Sequence, residues 1–233
     1  MNRRALLLLL AVLPAAVPPQ ATASAAANAS AQSAGIVAEG TRWATPYYVV
    51  DSGKPGPTVM VVGGVHGNEP AGPAAAEAVR RRPLVRGKLV VLPRANVPGL
   101  EARQRRLPGI DRDRSDLNRN FPQKDDAKPV GQPAEAIWDL VRTVRPDWLV
   151  DLHESAGFRK VDPKRVGNTI IHAVADDTRR EALVMIEAVN AGIDAEARRF
   201  VLLKNPAKGS LARSAADRLG ARAMIVETTR RDQ

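Results

Sequence analysis

The chain has 233 residues, of which 44% are hydrophobic and 26% charged, enough for one sizeable core but not comfortably for two full domains. Its 35 Lys and Arg outweigh 25 Asp and Glu, for a net charge of +10, which favours anionic partners by steering without naming them. There is no cysteine, so disulfides, thiolate zinc sites, iron–sulfur clusters and a cysteine nucleophile are excluded. With only three histidines, any metal must be held by some combination of these with Asp or Glu.

Residues 1–23 read as a cleaved export signal: a basic start with Arg3 and Arg4, an apolar run from Ala5 to Val17, then Ala21-Thr22-Ala23 with small residues where a signal peptidase cuts. The run is interrupted by Pro14 and is short of the roughly 20 residues of a membrane span, so no permanent anchor is expected. The mature protein is then periplasmic or extracellular. Residues 24–40, rich in Ala, Ser and Asn at their start, are expected to be a disordered lead-in, leaving 41–233 as the one folded domain.

Beyond the lead-in, short apolar runs alternate with segments of helical period, which predicts an α/β fold with a largely buried, mostly parallel sheet. Strands are expected at Tyr47 to Asp51, Thr58 to Gly63, Lys88 to Leu92, Trp148 to Leu152, Thr169 to Val174, Phe200 to Leu203 and Ala223 to Val226. Helices are expected at Ala71 to Arg82, Ala134 to Val144, Asp177 to Ala191 and Ser210 to Leu219, the last closed by Gly220. The arginine-rich stretch from Arg94 to Pro133 fits neither period. A loop that long in a compact domain is usually functional.

Two histidines stand at strand ends. Gly63-Gly64-Val65-His66-Gly67-Asn68-Glu69 follows an apolar strand, and His153 follows Trp148 to Leu152. Ligands in open α/β sheets gather beyond the carboxyl ends of the strands, so these segments are expected to meet. His66, Glu69 and His153 would supply two imidazoles and a carboxylate and leave one position open, as in a catalytic zinc site. His172 lies inside an apolar run and reads as a core histidine. Glu227, at the end of the last apolar strand, is the candidate general base and acid. Glu154 competes for that role, but its side chain should leave the opposite face of the strand from His153.

Within the long loop, Asp116-Leu117-Asn118-Arg119-Asn120-Phe121-Pro122 sets an amide beside a guanidinium, and an arginine's paired donors match a carboxylate. Arg103, Arg105 and Arg106 could place a cation near a developing oxyanion.

These motifs, GGVHGNEPAG, RRLPG with DLNRNFP, VDLHES and IVET, resemble the zinc carboxypeptidase superfamily and, within it, the succinylglutamate desuccinylase and aspartoacylase branch. The resemblance spans Thr58 to Thr228. It implies a single domain with a mixed, largely parallel sheet flanked by helices, and one Zn2+ held by His66, Glu69 and His153. It also implies Glu227 as general base and acid, Asn118 and Arg119 gripping a substrate carboxylate, and Arg105, with Arg103 and Arg106 as alternatives, polarising the carbonyl. Hydrolysis of an amide in a small anionic N-acyl amino acid is the activity implied. An exported metallocarboxypeptidase trimming peptides, of the cell wall for instance, is the enzymatic alternative. Carboxypeptidases of the superfamily commonly close a late tyrosine over the substrate, whereas Tyr47 and Tyr48 both precede the zinc motif. The non-enzymatic alternative is a polyanion binder. Three Trp, two Tyr and three Phe leave few platforms for stacking bases, so no nucleic acid is expected.

Overall fold

A computed structural model describes residues 31–173 and 176–230. The expected export signal lies outside them. Eight strands among the described residues form one sheet: β1 (Ala31–Val37), β2 (Thr45–Asp51), β3 (Thr58–Gly63), β4 (Lys88–Leu92), β5 (Trp148–Ala156), β6 (Thr169–His172), β7 (Val201–Lys204) and β8 (Arg222–Arg230). Their order across the sheet is β1-β2-β4-β3-β5-β8-β6-β7. The central run β4-β3-β5-β8 is parallel, as is β6-β7, while β1-β2, β2-β4 and β8-β6 are antiparallel.

The helices are α1 (Ala71–Arg80), α2 (Val97–Ala102), α3 (Gln132–Val144), α4 (Asp176–Asn190) and α5 (Leu211–Leu219). They cover both faces, which is why the central strands read as nearly continuous apolar runs. Alternate residues divide between two cores. Met60, Val62, Leu149, Ala223 and Ile225 pack with Ile137, Trp138, Leu211 and Ala215 of α3 and α5. Val61, Val150, Leu152, Met224 and Val226 pack with Ala75, Ala76, Val79, Ala182 and Ile186 of α1 and α4. This is the single-domain, mixed and largely parallel α/β architecture expected from the sequence.

Two elements differ from expectation. The described part of the expected disordered lead-in contains β1, paired in register with β2 from Ala31↔Asp51 to Val37↔Thr45. Its mostly small and polar residues give no apolar alternation, and it is held by the ladder, by Val37 buried in the core, and by Tyr47, whose ring lies where a Cβ on Gly35 would be. The Arg94 to Pro133 stretch contains α2 and a short 3-10 turn at Leu117–Arg119, both too brief for a helical period to show. The expected end of β6 at Val174 falls outside the described residues, and β6 is seen to His172. Among the described residues no helix is long and apolar enough to cross a membrane.

Candidate metal centre at the carboxyl edge of the sheet

Because β3, β5 and β8 run parallel, their carboxyl ends share one edge. β3 ends at Gly63 and the chain turns through Gly64-Val65 to deliver His66 and Glu69, both 3% exposed. Gly67 is required here: a Cβ on it would stand 1.9 Å from the Gly99 carbonyl carbon of α2. His153 extends from β5 on the same face as Leu149, and β5–β8 pairing sets Glu227 directly beside it in register.

The side chains meet. His66 Nδ1 lies 2.8 Å from Glu69 Oε1, His153 Nδ1 lies 2.9 Å from Glu69 Oε2, and the two Nδ1 atoms are 3.1 Å apart. One ligand atom from each residue falls within 4.8 Å of the others, a group able to hold a metal ion.

The far side of each ring faces an acid. His66 Nε2 is 3.3 Å from Asp116 Oδ1, and His153 Nε2 is 2.9 Å from Asp151 Oδ2. A proton held on Nε2 by such a carboxylate leaves the Nδ1 lone pair for a cation. Asp151 is fully buried and faces the His153 ring with no other partner for its oxygens among the described residues. Glu69, Asp116 and Asp151 thus crowd two imidazoles out of water, a negative cluster that a divalent ion would neutralise. The donor set fits zinc. Asp116 and Asp151 were not singled out from the sequence as partners of the histidines. For Asp151 the available signal was an acid two residues before a strand-end histidine, which pleating puts on the same face.

The electrostatics follow from this crowding. Burial works to raise the Glu69 pKa, but hydrogen bonds to His153 and His66 hold it well below the usual carboxylate range. Burial likewise opposes ionisation of Asp116, which His66 nonetheless draws down to about 2. Burial pulls His153 down, yet Asp151 and Glu69 on its two sides hold it well above the ordinary imidazole value. Glu227 keeps part of its surface open, but its carboxyl is enclosed enough that burial pushes its pKa up to about 7, with His153 opposing and Glu69 adding to the rise.

Of the three candidate arginines the fold brings one to the centre. Arg105 Nη1 lies 2.6 Å from Glu69 Oε1, with the guanidinium half-exposed at the rim. Arg103 is the left-handed cap of α2, and Arg106 donates to the Arg112 carbonyl and to Ser115 Oγ. The DLNRNFP motif is pinned by Leu117 and Phe121, 1% and 2% exposed. This turns Asn118 inward and leaves Arg119 exposed. Asn118 Oδ1 accepts from Leu211 N–H at 3.0 Å, and its Nδ2 is 3.3 Å from His153 Nε2. Arg119 joins Arg106, Arg112, Asp113 and Asp116 around an open cleft of about 640 Å³ that reaches the centre at Asp116. His172 is buried in β6, where its Nδ1–H donates to the Ala173 carbonyl at 2.7 Å. Glu154 is buried on the opposite face, as expected.

Comparison with known proteins agrees with this architecture. Residues 55–230 match the succinylglutamate desuccinylase/aspartoacylase catalytic domain. An N-alpha-acetyl-L-2,4-diaminobutyric acid deacetylase of Halomonas elongata is 35% identical over 123 residues, 50% of this chain and 33% of that protein. An aspartoacylase family protein of Mesorhizobium loti superposes with a TM-score of 0.61 at 23% identity, over 85% of this chain and 61% of that one. A tripeptide-bound cell shape determinant protein of Helicobacter pylori superposes with 0.59 at 21%, over 75% and 46%. The chain therefore spans a third of the deacetylase and less than two thirds of either structural neighbour, and the neighbours carry the fold alone. With the match running from before β3 to the end of β8, the chain belongs to the succinylglutamate desuccinylase/aspartoacylase family.

Proposed function

We propose that this protein hydrolyses the amide bond of a small N-acyl amino acid bearing a free carboxylate. His66 Nδ1, His153 Nδ1 and the Glu69 carboxylate would hold one Zn2+. When bound, that ion supplies Lewis acidity, polarising the scissile carbonyl and acidifying water.

The remaining steps belong to the chain's own groups. Glu227, with its pKa near 7, is close to the working pH of an efficient base. It takes a proton from the attacking water and gives it to the departing amine. Arg105 keeps donors free beyond its contact with Glu69 and meets the negative charge that develops on the carbonyl oxygen. Arg119, in its arginine-lined cleft, receives the substrate carboxylate in paired fashion. Asn118, with Oδ1 fixed by Leu211 N–H, offers its amide N–H groups to the same carboxylate. Secretion through the export signal at residues 1–23 is part of the same proposal.

The observation that carries the reading is the convergence of His66, Glu69 and His153 within 4.8 Å, with Glu227 in register beside His153. The deacetylase relative supports the direction of the chemistry. The test is to assay the zinc-loaded mature protein against N-acyl amino acids and short peptides. Release of the acyl acid is expected. Release of C-terminal amino acids from peptides would replace the reading with the carboxypeptidase, and no turnover of either, with salt-sensitive polyanion binding and no metal uptake, would overturn both.

A further inference from the structure

We propose that Glu154 is a positioning residue that ties together the two segments bearing the metal ligands, an inference that rests on reading His66, Glu69 and His153 as a metal site. Glu154 follows His153 on β5, but pleating sends its side chain to the α1 face of the sheet. It is 6% exposed. There its Oε2 accepts from the backbone N–H of Ala71, the first residue of α1, at 3.2 Å. Its own backbone N–H donates to Glu69 Oε2 at 3.1 Å.

One residue therefore holds the Glu69-Pro70-Ala71 segment at both ends. The Ala71 contact is needed because α1 lacks a cap of its own. Pro70 at the N-cap makes no side-chain hydrogen bond, and the first turn carries no acid, so the exposed donors and positive end of the helix are met from another strand. Close packing reinforces the tie: a Cβ on Gly72 would stand 2.5 Å from the Leu152 carbonyl oxygen of β5. The first turn of α1 is thus seated on the strand that carries His153. The distance between the Glu69 carboxylate and the His153 ring is set by this double tie rather than by the loop that precedes Glu69.

The test is zinc affinity by chelator competition on the full chain, with folding followed by circular dichroism. Glu154→Leu removes the acceptor, and Glu154→Asp retracts it from Ala71. Glu154→Gln keeps an acceptor without the charge. Leu and Asp should weaken zinc binding by about 10–100-fold, the usual effect of losing a group that orients a ligand, whereas Gln should stay close to wild type. If Glu154→Leu does not fold, the Asp and Gln pair decides. Wild-type affinity in both Leu and Asp variants overturns the proposal, as does a loss in Gln equal to that in Leu or Asp. Failure of the wild-type protein to bind zinc is a separate result, seen before any variant, and removes the metal reading together with this one.

Discussion

Glu227 shows how much a single position depends on its neighbours. Its carboxyl would titrate near 4.5 on an open chain and does so at about 7 in the fold. A raised acid contributes stability that is fully present below about 4.5 and is lost as pH rises through about 7. The loss is on the order of 3 kcal/mol, about 1.4 kcal/mol for each pH unit of displacement. In protein stripped of metal, Glu227→Gln should therefore be more stable than wild type at pH 8 and indistinguishable from it at pH 4, as read from urea midpoints. The same variant should keep its zinc while turnover falls by about 10²–10⁴; retained turnover would take Glu227 out of the mechanism. His66, Glu69 and His153 were legible because a chain with three histidines and no cysteine offers few ligand sets. Asp151 was not, since an acid inside an apolar run has no meaning until its partner on the same strand face is known to be a ligand. Nor could spacing choose among Arg103, Arg105 and Arg106. That choice depends on the left-handed cap at Arg103 and on the Gly67 N–H to Arg105 carbonyl contact, 3.4 Å, that draws Arg105 over the site.

Helices and loops carry the next set of consequences. α2 packs so tightly under the His66 turn that Gly67→Ala has no space to settle, with backbone on the other side of the contact. Overpacking of this kind costs roughly 1–3 kcal/mol, and because it displaces the turn itself, zinc affinity should fall together with the thermal midpoint. Phe121→Ala should cost about 3–5 kcal/mol as a buried aromatic is lost. It should also raise KM, because Phe121 anchors the turn that presents Arg119, its backbone N–H reaching Gly209 O at 3.1 Å. An unchanged KM would argue that Arg119 does not meet the substrate. The central strands were readable because burial on both faces makes continuous apolar runs. β1 was not, because only Val37 at its end enters the core and the rest of the strand is held by pairing with β2, and α2 is too short for periodicity to register.

For the protein as one body, the site should couple to stability, since the candidate ligands come from the turn after β3 and from β5, far apart in sequence, and are drawn to one point. An ion that binds only the folded state stabilises it by about 2.7 kcal/mol when free metal is 100 times its Kd. A chelator should lower the melting temperature and added zinc should restore it, and a melting curve indifferent to both would count against the metal centre. The amino-acid sequence alone determined the layered α/β class, the central strands, the His-x-x-Glu turn and the second histidine, because these depend on local periodicity and residue chemistry. Only the tertiary structure decided which arginine reaches the ligands, that Asp116 and Asp151 back the two imidazoles, and that Glu154 seats α1 on β5. Those relations join residues dozens of positions apart or separate neighbours by strand face, and they are set by the parallel register of β3, β5 and β8.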